Sequence, residues 1–558
     1  MKNVKLKMKK MILVKIGQVC KGLLLFPFTF FILHSTAQRD TTRRQTIDIT
    51  SSFKPVLRNA VKINLSASPL AADTSRPASV YNIPAQNLFF AYQPISLKPL
   101  TLSQDTGLQL GIRNYVKAGF GNYTTPYIAA AVSFGNGKSS IVNLYGNYIS
   151  SKGKITNQNF SEMRLKGTGS FFTAKNEMYG RAGIDARQYY QYGYDHELHS
   201  YNKDSVSRRY QDFTVAGGLR NIAVNDMHIN YNPNAEAHIF SRENKVTEST
   251  LILEAPVEKK FGESVSVKVA ARADITNFAN KTTAINTSIS NNLFQIAPEL
   301  VYYSDRFTFH GGVTPSWDNG KLSVLPNVYG EAQLQQKVLI VQAGWVGRFI
   351  KNSFRSLSLL NPYMADPSFL LNTKEVQFYG GVKATLGKHF SFNAKAAFVT
   401  YNNMPLFVND FNDGKSFVIR NESKMNALQL HGDMSLVSQD KFTLTAALDV
   451  NTYTGLKDNA NAWHLIPLQL TGSFRWNAFK QVLLKADLFA FSGAPALLKN
   501  NSEIKLKGTD FSAGGEFKIN KKFSAWLDFN NILDNKYQRF NNYPVYGLNV
   551  IGGIIAHF

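Results

Sequence analysis

The sequence predicts an all-β chain: a transmembrane antiparallel β-barrel of about 22 strands behind an N-terminal extended periplasmic segment. Two observations carry this. Short segments alternate apolar and polar residues from about Gln109 to Phe558, and the connections between them run tight, then long, then tight again. Short turns on one side of a membrane and longer loops on the other give that rhythm.

The chain has 558 residues, with 25 Tyr, 40 Phe and one Cys. No long helical period and no run of βαβ units is present. Mean hydropathy is slightly negative. That disfavours a helical membrane protein but not a barrel, whose alternating strands average out.

Residues 1–37 read as an export signal. Lys2, Lys5, Lys7, Lys9, Lys10, Lys15 and Lys21 form a basic region, and Leu23 to Leu33 is apolar but too short to span a bilayer. Ser35 and Ala37 place small residues at −3 and −1, so cleavage is expected after Ala37. Cys20 leaves with the signal, and disulfide or thiol chemistry is not expected in the mature chain. Taking seven lysines from the formal +24 leaves +17. Nucleic acid is one reading of that charge and is set aside for an exported, membrane-embedded chain. Many lysines fall in expected tight turns, among them Lys138, Lys175, Lys337, Lys388, Lys441, Lys480, Lys521 and Lys522. There they would sit beside the anionic head groups of the outer-membrane lipid.

Residues 38–108 contain Pro55, Pro69, Pro77, Pro84, Pro94 and Pro99 and little that could bury a core. The expectation is an extended periplasmic or lumenal segment. The barrel follows over 109–558. In 389–401, Phe390, Phe392, Ala394, Ala396 and Phe398 share one face against Ser391, Asn393 and Lys395. In 441–453, Phe442, Leu444, Ala446, Leu448 and Val450 oppose Thr443, Thr445, Asp449 and Asn451. The segments 511–520 and 522–530 behave alike. Long connections are expected at 193–207, 280–291, 352–374, 402–415, 455–464, 493–503 and 534–544, all on the outer side. A last strand over 545–558 would place Tyr546, Leu548, Val550, Ile554, Ala556 and Phe558 on one face. Its terminal Phe558 is the mark read by the outer-membrane assembly machinery.

Two tracts resemble a family. Asn531-Ile532-Leu533-Asp534-Asn535-Lys536-Tyr537 looks like the C-terminal signature of TonB-dependent receptors, and Asn361-Pro362-Tyr363-Met364-Ala365-Asp366-Pro367 resembles a tract those receptors carry before a late strand. In the second, the spacing is one residue longer and Ser368 stands where Glu is common. The resemblance covers 109–558 and implies a 22-strand barrel acting in solute uptake. It also implies a plug domain of roughly 130 residues, for which 38–108 is too short and too proline-rich. The chain therefore resembles plug-less members of Bacteroidetes type. Thr46, Ile47, Asp48 and Ile49 lie in a hexapeptide similar to the box that contacts TonB, although such a hexapeptide also arises by chance.

Several constellations bear on chemistry. Tyr194-Asp195-His196-Glu197-Leu198-His199 offers His196 and His199 as metal ligands, one residue short of the helical zinc spacing; a solvated polar loop is the alternative. Lys395, Asp449, Lys485, Asp487, Glu516, Lys518 and Asp528 fall on expected lumen faces. They would set solute selectivity or simply pair with one another. The ten His are scattered outside any recognisable catalytic motif, so no enzyme and no cofactor are expected. The connection 352–374 is very apolar, and Tyr363, Met364 and Phe369 would contact a partner or ligand, or fold inward to cap the lumen. Tyr145, Tyr148, Trp345, Tyr401, Tyr453 and Trp526 read as interface girdle or lumen lining. The function expected is solute passage across the cell outer membrane, with 38–108 as stopper or as contact for TonB or a periplasmic lipoprotein partner. The alternative is a non-transporting scaffold subunit of an outer-membrane complex.

Overall fold

The computed structural model describes residues 114–558 apart from 244, 283–286, 336–337, 388 and 439–440. The expected signal over 1–37, the segment 38–108 with Thr46 to Ile49, and Lys337 and Lys388 lie outside the described residues.

Strands follow one another in chain order, each antiparallel to the next, from Tyr115–Gly121 to Asn549–His557. The last pairs back onto the first, His557 opposite Tyr115 and Ile551 opposite Gly121. The sheet is therefore a closed barrel without an edge. Ile229–Tyr231 and Asn234–Arg242 are two pieces of one strand, since both pair with Val246–Phe261. The break falls at Asn232-Pro233, where proline has no N–H to give the ladder. Asn232 N–H donates to Pro256 O at 3.2 Å and Leu219 N–H to Pro233 O at 3.0 Å, so the break is hydrogen-bonded. The wall then has 22 strands, as the sequence predicts.

The two faces sort as the alternation requires. Phe398, Phe517, Phe523, Leu527 and Ile554 are exposed on the outside, whereas Lys395, Ser512, Ser524 and Asp528 are buried on the inside. Trp345 stacks on Phe378 across the outer face, with centroids 5.2 Å apart. An apolar belt of this extent is solvated by hydrocarbon, not by water, and a closed ladder presents no free strand edge to it. Among the described residues no helix is long and apolar enough to cross a membrane; the strands do so.

The closing seam depends on two glycines. Gly119 lies opposite Gly553. A Cβ at Gly553 would stand 1.9 Å from the Ala118 carbonyl oxygen, and one at Gly119 would stand 2.5 Å from the Trp526 ring. Trp526 is thus free to pack on the inner face, where it is buried, with Lys117 Nζ 4.2 Å from its ring.

Four connections differ from expectation. The stretch 280–291 shrinks to 281–286, because the ladder continues until Asn280 lies opposite Thr287. The stretch 402–415 grows into a 403–424 connection holding its own hairpin, Met404–Asn409 paired with Phe417–Glu422. The stretch 493–503 shrinks to 498–502, because the ladder runs through a register shift between Ser492 and Ala494, with Gly493 at φ +86. The final strand begins at Asn549, not 545. Tyr546 turns away from it, donating its hydroxyl to Gln158 O at 2.6 Å and meeting the Phe160 ring at 5.6 Å.

Candidate functional site: a closure built from the outer connections

The apolar connection between Leu339–Ile350 and Thr373–Leu386 folds into the barrel mouth. It opens with a helix, Phe354–Leu360. Ser353 caps it, accepting from Ser356 N at 3.2 Å while the Ser356 hydroxyl accepts from Ser353 N at 2.8 Å. Glu248 on the wall then accepts the freed N–H groups of Phe354 at 2.6 Å and Arg355 at 3.1 Å. Helix N-termini leave such donors without internal partners, so a buried carboxylate on the barrel wall fixes where the helix begins. Arg355 Nε adds a 2.6 Å bond to Asp212 on the neighbouring wall. Phe354 is fully buried between Phe240 and Phe278, at 5.5 and 5.1 Å between ring centroids.

The tract after the helix has a role at nearly every residue. Asn361 N–H donates to Leu357 O at 2.9 Å and its side-chain oxygen accepts from Tyr363 N at 3.0 Å, which turns the chain. Asp366 accepts from Arg242 and, at 2.9 Å, from Asn280. Met364 forms a parallel bridge with Phe417 of the 403–424 hairpin. Tyr363 stacks on Tyr543 of the last outer connection, centroids 3.7 Å apart and rings 21° from parallel. Tyr192 joins both rings and donates its hydroxyl to Pro544 O at 2.9 Å. Burial drives the Tyr192 hydroxyl up to about 12 and raises those of Tyr363 and Tyr543 well above the usual value. All three stay neutral at any physiological pH.

Two further connections lock onto this core. His464 donates from Nδ1 to Phe407 O at 2.8 Å, and its Nε2 accepts from Asn541 N–H at 3.3 Å. That pattern requires the neutral ring. Burial and the Arg539 guanidinium lower its pKa to about 3. Asn531 sits at φ +48, a conformation asparagine tolerates. Its amide donates to Asn535 O at 2.9 Å and Tyr546 O at 2.8 Å, and its oxygen accepts from Asn535 N. Asp534 accepts from Leu548 N at 2.8 Å. The Asn531–Tyr537 tract is thus the scaffold that delivers Tyr543 to the mouth, and Tyr537 anchors it against Phe491 at 5.9 Å.

Of the residues expected to contact a partner, Tyr363 and Met364 are buried in this closure and Phe369 is exposed. The expected lumen residues lie on the inner face, several of them paired. Lys485 meets Asp528 at 2.8 Å, Asp487 meets Arg475 at 3.0 Å, and Asp449 holds His431 at 2.6 Å. Lys395 donates to Gln377 Oε1 at 3.1 Å and lies 4.2 Å from the Tyr379 ring. Glu516 and Lys518 sit lower on the same face, Glu516 half-buried and Lys518 exposed at the inner rim. His196 bonds the Tyr192 carbonyl at 3.0 Å and His199 stacks on Tyr201. Among the described residues no three His, Cys, Asp or Glu gather as metal ligands. Phe558 is exposed just beyond the last strand.

The sequence reading missed Tyr192, Glu248, His464 and Tyr543. The aromatic content of 534–544 and of the tyrosine run at 189–194 was the one available signal.

No family model and no curated protein matches the sequence. The fold does have solved counterparts. The FrpB iron transporter of Neisseria meningitidis matches with a TM-score of 0.62 at 10% identity, over 81% of this chain and 82% of that one. FpvA of Pseudomonas aeruginosa, solved with bound pyoverdines, gives 0.60 at 11% identity, over 80% and 71%. A ferric enterobactin receptor variant from the same organism, in complex with enterobactin, gives 0.58 at 12%, over 80% and 81%. The described chain has the barrel fold of the TonB-dependent siderophore receptors of the outer membrane.

Proposed function

We propose that this chain is an outer-membrane barrel for solute passage, shut at its outer mouth by its own connections. In this reading it is exported by 1–37 and assembled through its last strand and Phe558. The segment 38–108 serves as lumen stopper or as the contact for TonB or another periplasmic partner, without a plug domain of the usual kind. The observation that carries this is the closure itself: three outer connections meet in the Tyr192, Tyr363 and Tyr543 rings, the 403–424 connection joins them through Phe417, and His464 ties in a fifth through Phe407. A wide barrel must be blocked to keep the membrane tight, and a block that hangs from loops can be moved. The solved counterparts carry iron or bind its chelators, so a ferric chelate is the first solute to try.

The test is planar-bilayer conductance of the full chain against one lacking 38–108. Conductance that appears on deletion supports the stopper and passage. If both are silent, the second reading leads: a scaffold subunit whose lumen charges pair with one another, as Lys485 and Asp528 do. Energised uptake through 45–50 predicts that Ile47→Pro abolishes solute accumulation while the barrel still assembles.

A further inference from the structure

The wall beneath the closure alternates an acid and an aromatic ring on one level. Asp212 lies opposite Phe240, Phe240 opposite Glu248, and Glu248 opposite Phe278, across adjacent strands. All four are buried, and so is Asp274, lower on the strand of Phe278.

The stretch 351–355 fills this level group by group. Phe354 enters between the two rings. Its N–H and that of Arg355 land on Glu248, and the Arg355 guanidinium lands on Asp212. Lys351 Nζ reaches Asp274 Oδ1 at 3.1 Å. Farther along, Asp366 answers a wall cation, Arg242, whose guanidinium is 6.0 Å from the Phe354 ring. A lid that only seals needs apolar seats. Here three of the seats are carboxylates, and they face the lumen together around an aromatic slot when the closure swings away. A solute that meets them binds the open state alone and so holds it open.

We propose that this wall is a recognition site for a short basic peptide, occupied in the shut barrel by 351–355 as a stand-in. The assignment rests on passage through a movable closure and adds the class of solute. The groups that the wall now satisfies are those of a peptide: main-chain N–H, an aromatic ring, a guanidinium and an ammonium, with Arg242 suited to a carboxylate. Two wall neighbours temper the acids without cancelling them. His238 Nδ1 is 3.3 Å from Asp212, and Arg272 is 3.7 Å from Asp274 but nearer, at 2.9 Å, to Glu254. A solute of net negative charge meets the same acids and is refused.

The test is fluorescence anisotropy of a dye-labelled hexapeptide, Lys-Asn-Ser-Phe-Arg-Ser, with the full chain in lipid nanodiscs. Phe354→Ser with Arg355→Ser vacates the wall. Arg355→Ala alone serves if the pair fails to migrate as compact barrel on unheated gels. The vacated barrel should bind the peptide about tenfold more tightly than the unaltered one. Adding Asp212→Asn and Glu248→Gln should weaken binding several-fold, and the acidic analogue Glu-Asn-Ser-Phe-Glu-Ser should bind far more weakly. Absence of saturable binding to a vacated, assembled barrel overturns the proposal. So does binding that survives the two wall changes, or that the acidic analogue matches. Peptide binding by a barrel that never conducts in planar bilayers upholds the site and sinks passage, so the two readings fail separately.

Discussion

The phenol rings of Tyr363 and Tyr543 lie 3.7 Å apart, nearly parallel, although they belong to outer connections at opposite ends of the wall's second half. Each sits in a tract whose polar residues are used up in shaping the backbone that presents it. The stack is thus the point where two independently braced loops meet.

Removing one ring should loosen the closure without unfolding the wall. Tyr543→Ala empties a fully aromatic contact worth about 3 kcal/mol or more. Brief openings should appear in planar-bilayer traces, and proteases added from outside should cut within 403–424. Tyr543→Phe loses only the hydroxyl's bonds, to Lys415 O and from the Gly193 N–H, and should remain silent.

Acid should open the same region through His464. Above about 6.5, the ring is neutral whether the closure is shut or open. Between 6.5 and about 3, only the opened state takes the proton, because the shut state keeps Nε2 facing the Asn541 N–H. Stability of the closure is then full above 6.5 and falls by up to about 1.4 kcal/mol per pH unit below it. Hydrogen-exchange protection of 403–409 and 538–544, taken relative to the intrinsic rate at each pH, should fall between about pH 6.5 and 4.5. His464→Gln should flatten that dependence.

Asn531 should matter more than its polar, loop-like sequence suggests. Asn531→Ala loses the hydrogen bonds to Asn535 and Tyr546 and strains a left-handed backbone. A loss of about 2–3 kcal/mol from the loop is expected. Asn531→Gly relieves the strain and keeps the bond deficit, so it should be intermediate. Protease resistance of 531–548 in the assembled barrel ranks the three.

The seam tests closure of the wall. Gly553→Ala puts a methyl group against the Ala118 carbonyl, and that backbone cannot give way without parting the strands. Assembly yield should fall severalfold, read as the fraction that migrates as compact barrel on unheated gels. Ala118→Gly does not relieve a clash with a carbonyl oxygen, so no rescue is expected from it.

The wall was legible because alternation is local. Phe398 and Lys395 reveal their faces from their own strand, and repeating the pattern gives the strand count. The closure was not legible, because each of its contacts joins distant segments. The sequence shows that 352–374 is apolar, but nothing near it says that Glu248 waits to receive the helix. Tyr546 misled for a related reason: it keeps the period of the last strand, yet its hydroxyl is claimed by Gln158. Trp526 lies in an apolar-looking strand but packs inward, where glycines on the neighbouring strands leave room. The paired charges were placed on the correct face, while their partners depend on register, which alternation does not specify.

The seam has one more consequence. Its first strand has seven residues, while Val265–Asn280 on the far side has sixteen. At about 3.4 Å per residue, the ladder measures about 24 Å along the first strand and about 54 Å along the other. Even when tilted, the tall side outruns a hydrocarbon layer of about 30 Å, and its surplus stands clear of the lipid as free wall.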